Sequence, residues 1–175
     1  MSQHLLHVYT GDGKGKTTAG MGLALRMLGY KKPVVIAQFM KDGKSGEIKA
    51  LATFDTATLF EGARMKGFFG RMTPDQQEEA RQEHQESLAR LTALIHEVKP
   101  ALTVMDELNV AIVMGLVRIE DAFDTIDAAL QYGDAVVTGR YAPDKMLEKA
   151  HYVSRIAPEK HPFNEGVQAR KGIEF

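Results

Sequence analysis

The sequence contains no cysteine. That absence removes disulfides, thiolate metal sites and cysteine nucleophiles, and it fits a reducing compartment. Excess charge is also missing: 22 Lys and Arg against 23 Asp and Glu leave a formal net charge of −1. Without a basic excess there is no global field for nucleic acid, so no nucleic-acid partner is expected. No apolar run approaches the roughly 20 residues that span a bilayer, so no membrane partner is expected either. Met1-Ser2-Gln3-His4 shows no basic region leading into an apolar one. No signal peptide is read there, and a cytoplasmic location is expected. The six histidines form no metal-type pair, and His84 and His96 read as helix packing or surface residues. What remains is ordinary for a soluble globular chain: 44% hydrophobic and 26% charged over 175 residues, enough for a real core. With no internal repeat, low-complexity stretch or linker, residues 1–175 read as one domain.

Short apolar runs alternate with helical periodicity. Residues 5–9, 33–39, 101–105 and 134–139 read as buried strands, with shorter ones at 57–60 and 152–156. Residues 17–28, 119–130 and 143–150 read as helices. The longest helix is predicted to start at Thr73-Pro74-Asp75-Gln76, which has the form of a capping box with proline at the first helical position. It should run to Val98 with His84, Leu88, Leu91, Ile95 and Val98 as its inner stripe, and Pro100 ends it. Residues 41–47 and 61–72 read as irregular. Phe68-Phe69 in the second of these reads either as a small core cluster or as the wall of an apolar ligand pocket. Strands apolar on both faces and separated by helices predict an α/β fold, a mostly parallel sheet with helices on both faces.

The first strand leads into Thr10-Gly11-Asp12-Gly13-Lys14-Gly15-Lys16-Thr17-Thr18, and a helix follows. Strand, glycine loop and helix in that order are the setting of a phosphate loop. The three glycines let the backbone turn sharply and point N–H groups into a concave nest, and the helix adds its positive end. Lys16 can reach terminal phosphates, the Thr17 hydroxyl can ligate Mg²⁺, and Lys14 offers a second phosphate contact. Thr10 stands where the usual pattern has its first glycine.

Asp106-Glu107 ends an apolar strand, where a carboxylate can hold Mg²⁺ directly or through water. The same pair also reads as the capping acid of a following helix. Arg140, Gln38 and Lys41 follow strand ends, where ligands of open α/β sheets sit. Arg26 lies ten residues beyond Lys16 and from spacing alone reads as a solvated helix residue. Bottom-up, the chain is a Mg-nucleotide-binding α/β domain, and hydrolysis, phosphoryl transfer and other chemistry remain open.

Four segments carry a resemblance: residues 9–18, then Val104-Met105-Asp106-Glu107-Leu108-Asn109-Val110-Ala111, then Thr138-Gly139-Arg140-Tyr141-Ala142-Pro143, then the tail at 160–175. With Gln38-Phe39-Met40-Lys41, they resemble the P-loop type of ATP:corrinoid adenosyltransferase. The resemblance spans nearly the whole chain, and the absent first glycine belongs to its pattern. It implies a RecA-like domain, usually in a homodimer, and a reduced flavoprotein as electron donor. It implies that the Co(I) of a corrinoid, cobalamin or cobyrinic acid a,c-diamide, attacks the 5′ carbon of ATP and that triphosphate leaves. Lys16 and Glu107 would then be the catalytic pair, with Glu107 a metal ligand rather than a base and Arg26 a nucleotide contact. Phe68 and Phe69 would be corrinoid contacts. Longer members carry an N-terminal extension over the corrinoid, so that face is expected here to be open or covered by a partner subunit. A plain P-loop ATPase and a small-molecule kinase, with Glu107 as base, are the competing readings.

Overall fold

The computed structural model describes residues 3–40, 45–65, 67 and 69–173. Lys41 and Phe68, both singled out by the sequence, lie outside the described residues. Six strands are present, β1 (Leu6–Thr10), β2 (Val34–Gln38), β3 (Ala57–Phe60), β4 (Leu102–Asp106), β5 (Asp134–Thr138) and β6 (Tyr152–Arg155). They form one sheet in the order β3-β2-β4-β5-β1-β6, and every neighbouring pair is parallel. The helices are α1 (Lys16–Gly29), α2 (Gly46–Leu51), α3 (Pro74–Val98), α4 (Leu108–Val113), α5 (Ile119–Leu130) and α6 (Asp144–Lys149).

The strand period of two sorts the core into two layers. Val34, Ile36, Leu102, Val104 and Val136 pack with Met21, Ala24 and Leu28 of α1. Val35, Ala37, Met105, Ala135 and Val137 point the other way, into a larger cluster with Leu88, Leu91 and Ile95 of α3 and Ala122 and Ile126 of α5. Both faces of the central strands are therefore dry, which is why those strands read as continuous apolar runs.

The long helix starts as expected. The Thr73 hydroxyl accepts from Gln76 N at 3.3 Å, and the Gln76 side chain accepts from Thr73 N at 3.0 Å. Residues 84, 88, 91 and 95 of the predicted stripe are buried, and His84 Nδ1 donates to Ala80 O at 2.7 Å inside the helix. The irregular stretch before it is tied down. Ser87 Oγ accepts from Ala63 N at 3.0 Å, and Gln77 Nε2 donates to Phe69 O at 3.3 Å.

Three features depart from the sequence reading. Helix α2 was not anticipated, and α4 was expected only as a helix that Asp106-Glu107 would cap, without bounds. β6 reads as one more apolar strand, yet all four of its residues are exposed. It is the sheet edge and pairs only with β1, so one side of its backbone has no strand to cover it.

An all-parallel sheet places every strand's carboxyl end on one edge. Thr10, Gln38, Asp106, Thr138 and Arg155 lie there. The cap of α3 provides a test of the fold apart from that edge. Thr73→Ala should lower unfolding free energy by about 1 kcal/mol, read as a lower urea midpoint with an unchanged slope.

Candidate functional site

β1 passes through Gly11–Gly15 into α1. Gly11 and Gly15 have φ of +99° and +116°, where an L side chain is strained. Gly11 and Gly13 answer a second constraint. A Cβ on Gly11 would lie 2.5 Å from Ile156 O, and one on Gly13 would lie 2.8 Å from the same atom. Gly13 N donates to Ile156 O at 2.7 Å, and Ile156 N donates to Thr10 O at 2.8 Å. The loop thus rests on the backbone that leaves β6. This corrects the picture of three glycines all turning their N–H groups into a nest, since the Gly13 N–H is taken by Ile156.

Lys16 is nearly buried, and its ammonium donates to Gly13 O at 2.6 Å. The charge is held inside the loop rather than in solvent. Thr10, at the position of the missing glycine, is buried, and its hydroxyl accepts from Ala142 N at 3.3 Å. A glycine could not make that bond, so Thr10 ties the phosphate loop to the segment after β5. Arg140 adds a looser tie, its Nε 3.9 Å from Asp12 Oδ1 with both side chains more than half exposed. Such a pair contributes little stability, but it puts Arg140 beside the loop. Lys14 and Thr18 are exposed next to it.

The acidic pair divides into two environments. Asp106 is fully buried. Its Oδ1 accepts from Thr17 Oγ1 at 2.9 Å and from Thr138 Oγ1 at 2.6 Å, and its Oδ2 accepts from Gln38 Nε2 at 3.0 Å. Those donors offset the large cost of burying a carboxylate. The Thr138 hydroxyl also accepts from Glu107 N at 3.0 Å. Glu107 is half-buried with φ +62°, an unusual conformation for a non-glycine residue and one found where function fixes the backbone. It stands just before α4 but makes no side-chain cap bond there, so the capping-acid reading does not describe it. Gly139, with φ +127°, comes close: a Cβ there would lie 3.3 Å from Glu107 Oε2 and 3.1 Å from Asn109 Cβ.

The other sequence candidates scatter. Arg26 is exposed in the last turn of α1, about 15 Å along the helix from Lys16. Burial pushes the Tyr9 hydroxyl up, and the Arg26 charge pulls it partly back. Arg26 stands at the opposite end of α1 from Lys16. Phe69 packs on the larger core cluster, with the Arg81 guanidinium 5.6 Å from its ring centre. Of the two readings open for Phe69, this is the packing of a core residue. A cavity of about 300 Å³ lies nearby between residues 64–72 and α3, lined by Arg64, Arg71, Met72, Gln76, Glu79 and Glu83 among others. Among the described residues, no three His, Asp or Glu side chains gather to hold a metal ion by themselves.

Sequence reasoning missed Thr138 as a bridge, Asn109 as a support and Ile156 as the bed of the loop. Asn109 Nδ2 donates to Gly139 O at 3.4 Å. A threonine ending an apolar strand carries no local signal. Its role appears only once β5 is known to lie between β4 and β1.

Comparison with known proteins bears on this arrangement. The profile of the family described as ATP:corrinoid adenosyltransferase BtuR/CobO/CobP matches residues 2–175. A corrinoid adenosyltransferase of Pseudomonas aeruginosa is 32% identical, over 98% of this chain and 83% of that protein. The corrinoid adenosyltransferase CobA of Salmonella typhimurium is 29% identical, over 98% and 85%. Among solved structures, a KaiC-like protein of Pyrococcus horikoshii superposes with a TM-score of 0.61 at 13% identity, covering 89% of this chain and 74% of that one. That likeness shows the fold alone, a parallel sheet with helices on both faces.

The buried bridge supplies the prediction. Thr138→Val keeps the shape but leaves Asp106 short of one donor and Glu107 N without its acceptor. It should cost about 1–3 kcal/mol of stability in chemical denaturation and weaken ATP binding in calorimetry, and Thr138→Ser should recover both.

Proposed function

The chain belongs to the ATP:corrinoid adenosyltransferase family, and from that premise we propose how its residues carry the transfer. It is an ATP-dependent corrinoid adenosyltransferase, and the family match does not favour the plain ATPase or kinase readings. The Co(I) electron pair attacks the 5′ carbon of ATP, the C5′–O bond breaks, and its electrons leave on the triphosphate. The nucleophile is the metal of the substrate itself. No general base is needed, and Glu107 is free for another role.

What the protein must supply is stabilisation of charge on the leaving group. The observation that carries this reading is the convergence of Lys16, Thr17, Asp106 and Glu107 at the carboxyl ends of β1 and β4. Lys16 and the loop backbone grip the phosphates, together with Gly11, Asp12, Gly15 and Thr18. Thr17, Asp106 and Glu107 present only hard oxygen donors, the set that suits Mg²⁺ with phosphate oxygens completing its shell. Thr17 and Glu107 would hold the ion, with Asp106 orienting the Thr17 hydroxyl or binding through water. When bound, Mg²⁺ would act as a Lewis acid that lowers the charge on the departing triphosphate. Arg140 is placed to add a cation at the same edge, and Gln38 holds Asp106 from the other side.

The corrinoid would lie over the same edge, toward residues 61–72. The cavity there is at the small end for a ligand site and would take only part of so large a molecule. We assign the whole chain to one nucleotide-binding unit working as a homodimer, with a reduced flavoprotein supplying Co(I). No described helix is long and apolar enough to cross a membrane, and a cytoplasmic enzyme is proposed.

The test is direct. Anaerobic incubation with ATP, Mg²⁺ and chemically reduced cobalamin should give a light-sensitive Co–C product. Lys16→Ala should lower kcat/KM for ATP by roughly 100-fold or more with thermal unfolding little changed. No Co–C product from the unaltered chain would refute the assignment.

A further inference from the structure

Tyr141 is 63% exposed with φ +59°. A tyrosine gains nothing from either condition. The ring leaves apolar surface in water, and left-handed backbone crowds its Cβ. Residues in this state persist where their surroundings fix them, and they concentrate at ligand sites.

The surroundings are specific. On one side, Gly139 is packed against Glu107 and Asn109, and Arg140 reaches Asp12 of the phosphate loop. On the other, Ala142 N is bonded to the Thr10 hydroxyl at the start of that loop. Both flanks of Tyr141 are therefore fastened to the phosphate site, and the ring is presented to solvent beside it. Tyr9, the aromatic just before the loop, lies within β1 and packs on the α1 side of the core.

The reaction calls for such a surface. The phosphate loop holds the leaving end of ATP, but the attacked carbon belongs to the nucleoside end. A nucleoside free to swing would present that carbon poorly. Adenine offers a flat π face, and an exposed tyrosine ring stacks on such faces. We propose that Tyr141 is the stacking platform for the adenine ring of ATP, a residue that fixes the nucleoside and favours ATP over bare triphosphate. The proposal rests on reading residues 11–18 as a triphosphate grip.

The backbone conformation makes a clean variant available. Tyr141→Gly removes the ring and suits the left-handed φ, so the melting temperature should hold or rise. The experiment titrates Mg-ATP and, separately, inorganic tripolyphosphate into the full chain by calorimetry. In Tyr141→Gly, ATP affinity should fall at least about fivefold while tripolyphosphate affinity stays the same, and Tyr141→Phe should keep ATP affinity. ATP affinity unchanged in Tyr141→Gly overturns the proposal, including the case where only the KM for corrinoid rises. A parallel loss for both ligands overturns it too, because the ring would then merely support the loop. If the unaltered chain binds ATP but no tripolyphosphate, the grip reading fails by itself, and the ATP affinity of Tyr141→Gly still decides the platform.

Discussion

The site depends on a buried carboxylate. Asp106 ends β4 with no exposure to solvent, and a charge there is unfavourable unless it is surrounded by donors. Among the described residues, donors come to it from three other elements: Thr17 from the start of α1, Gln38 from the end of β2 and Thr138 from the end of β5. One charge thus fixes the relative positions of the phosphate loop's helix and three strand ends. Thr138 passes the constraint on by accepting from Glu107 N, which sets where the second carboxylate begins. Each side chain that touches Asp106 would otherwise be a mobile polar group at a sheet edge. Held together, they form a rigid floor for a highly charged ligand.

Much of this was legible in the sequence, for physical reasons. The doubly buried strands produce apolar runs, and the one long helix has an apolar stripe and a capping box at Thr73 and Gln76. The phosphate loop is legible because glycine is favoured where the backbone has positive φ or is closely approached, as at Gly11, Gly13 and Gly15. What was not legible depends on strand order. Ile156 underlies the loop only because β6 pairs with β1, and Thr138 bridges only because β5 lies beside β4. Helix α2 escaped because it continues a Gly- and Lys-rich stretch that reads as a loop. Arg26 illustrates the converse. Its spacing suggested a solvated residue and the family resemblance suggested a nucleotide contact, and it is found exposed in the last turn of α1.

The loop's ordinary association is with cleavage between the β and γ phosphates. In this chain the same apparatus serves a different bond. In the mechanism we propose, a grip on all three phosphates, with oxygen donors suited to a divalent cation beside it, would stabilise triphosphate as a leaving group. The nucleophile arrives at the far end of the nucleotide, so no base has to be built at the phosphate end. Glu107, kept in a strained backbone conformation ahead of α4, fits a charge-holding role in that scheme better than a proton-accepting one.

The central claim is that the phosphates leave as one unbroken unit. Phosphorus-31 NMR of the anaerobic reaction with ATP and Co(I) corrinoid measures this directly. The account predicts inorganic triphosphate in one-to-one ratio with the ATP consumed, with no ADP or orthophosphate formed at the same rate. ADP accumulating in step with ATP loss would contradict it.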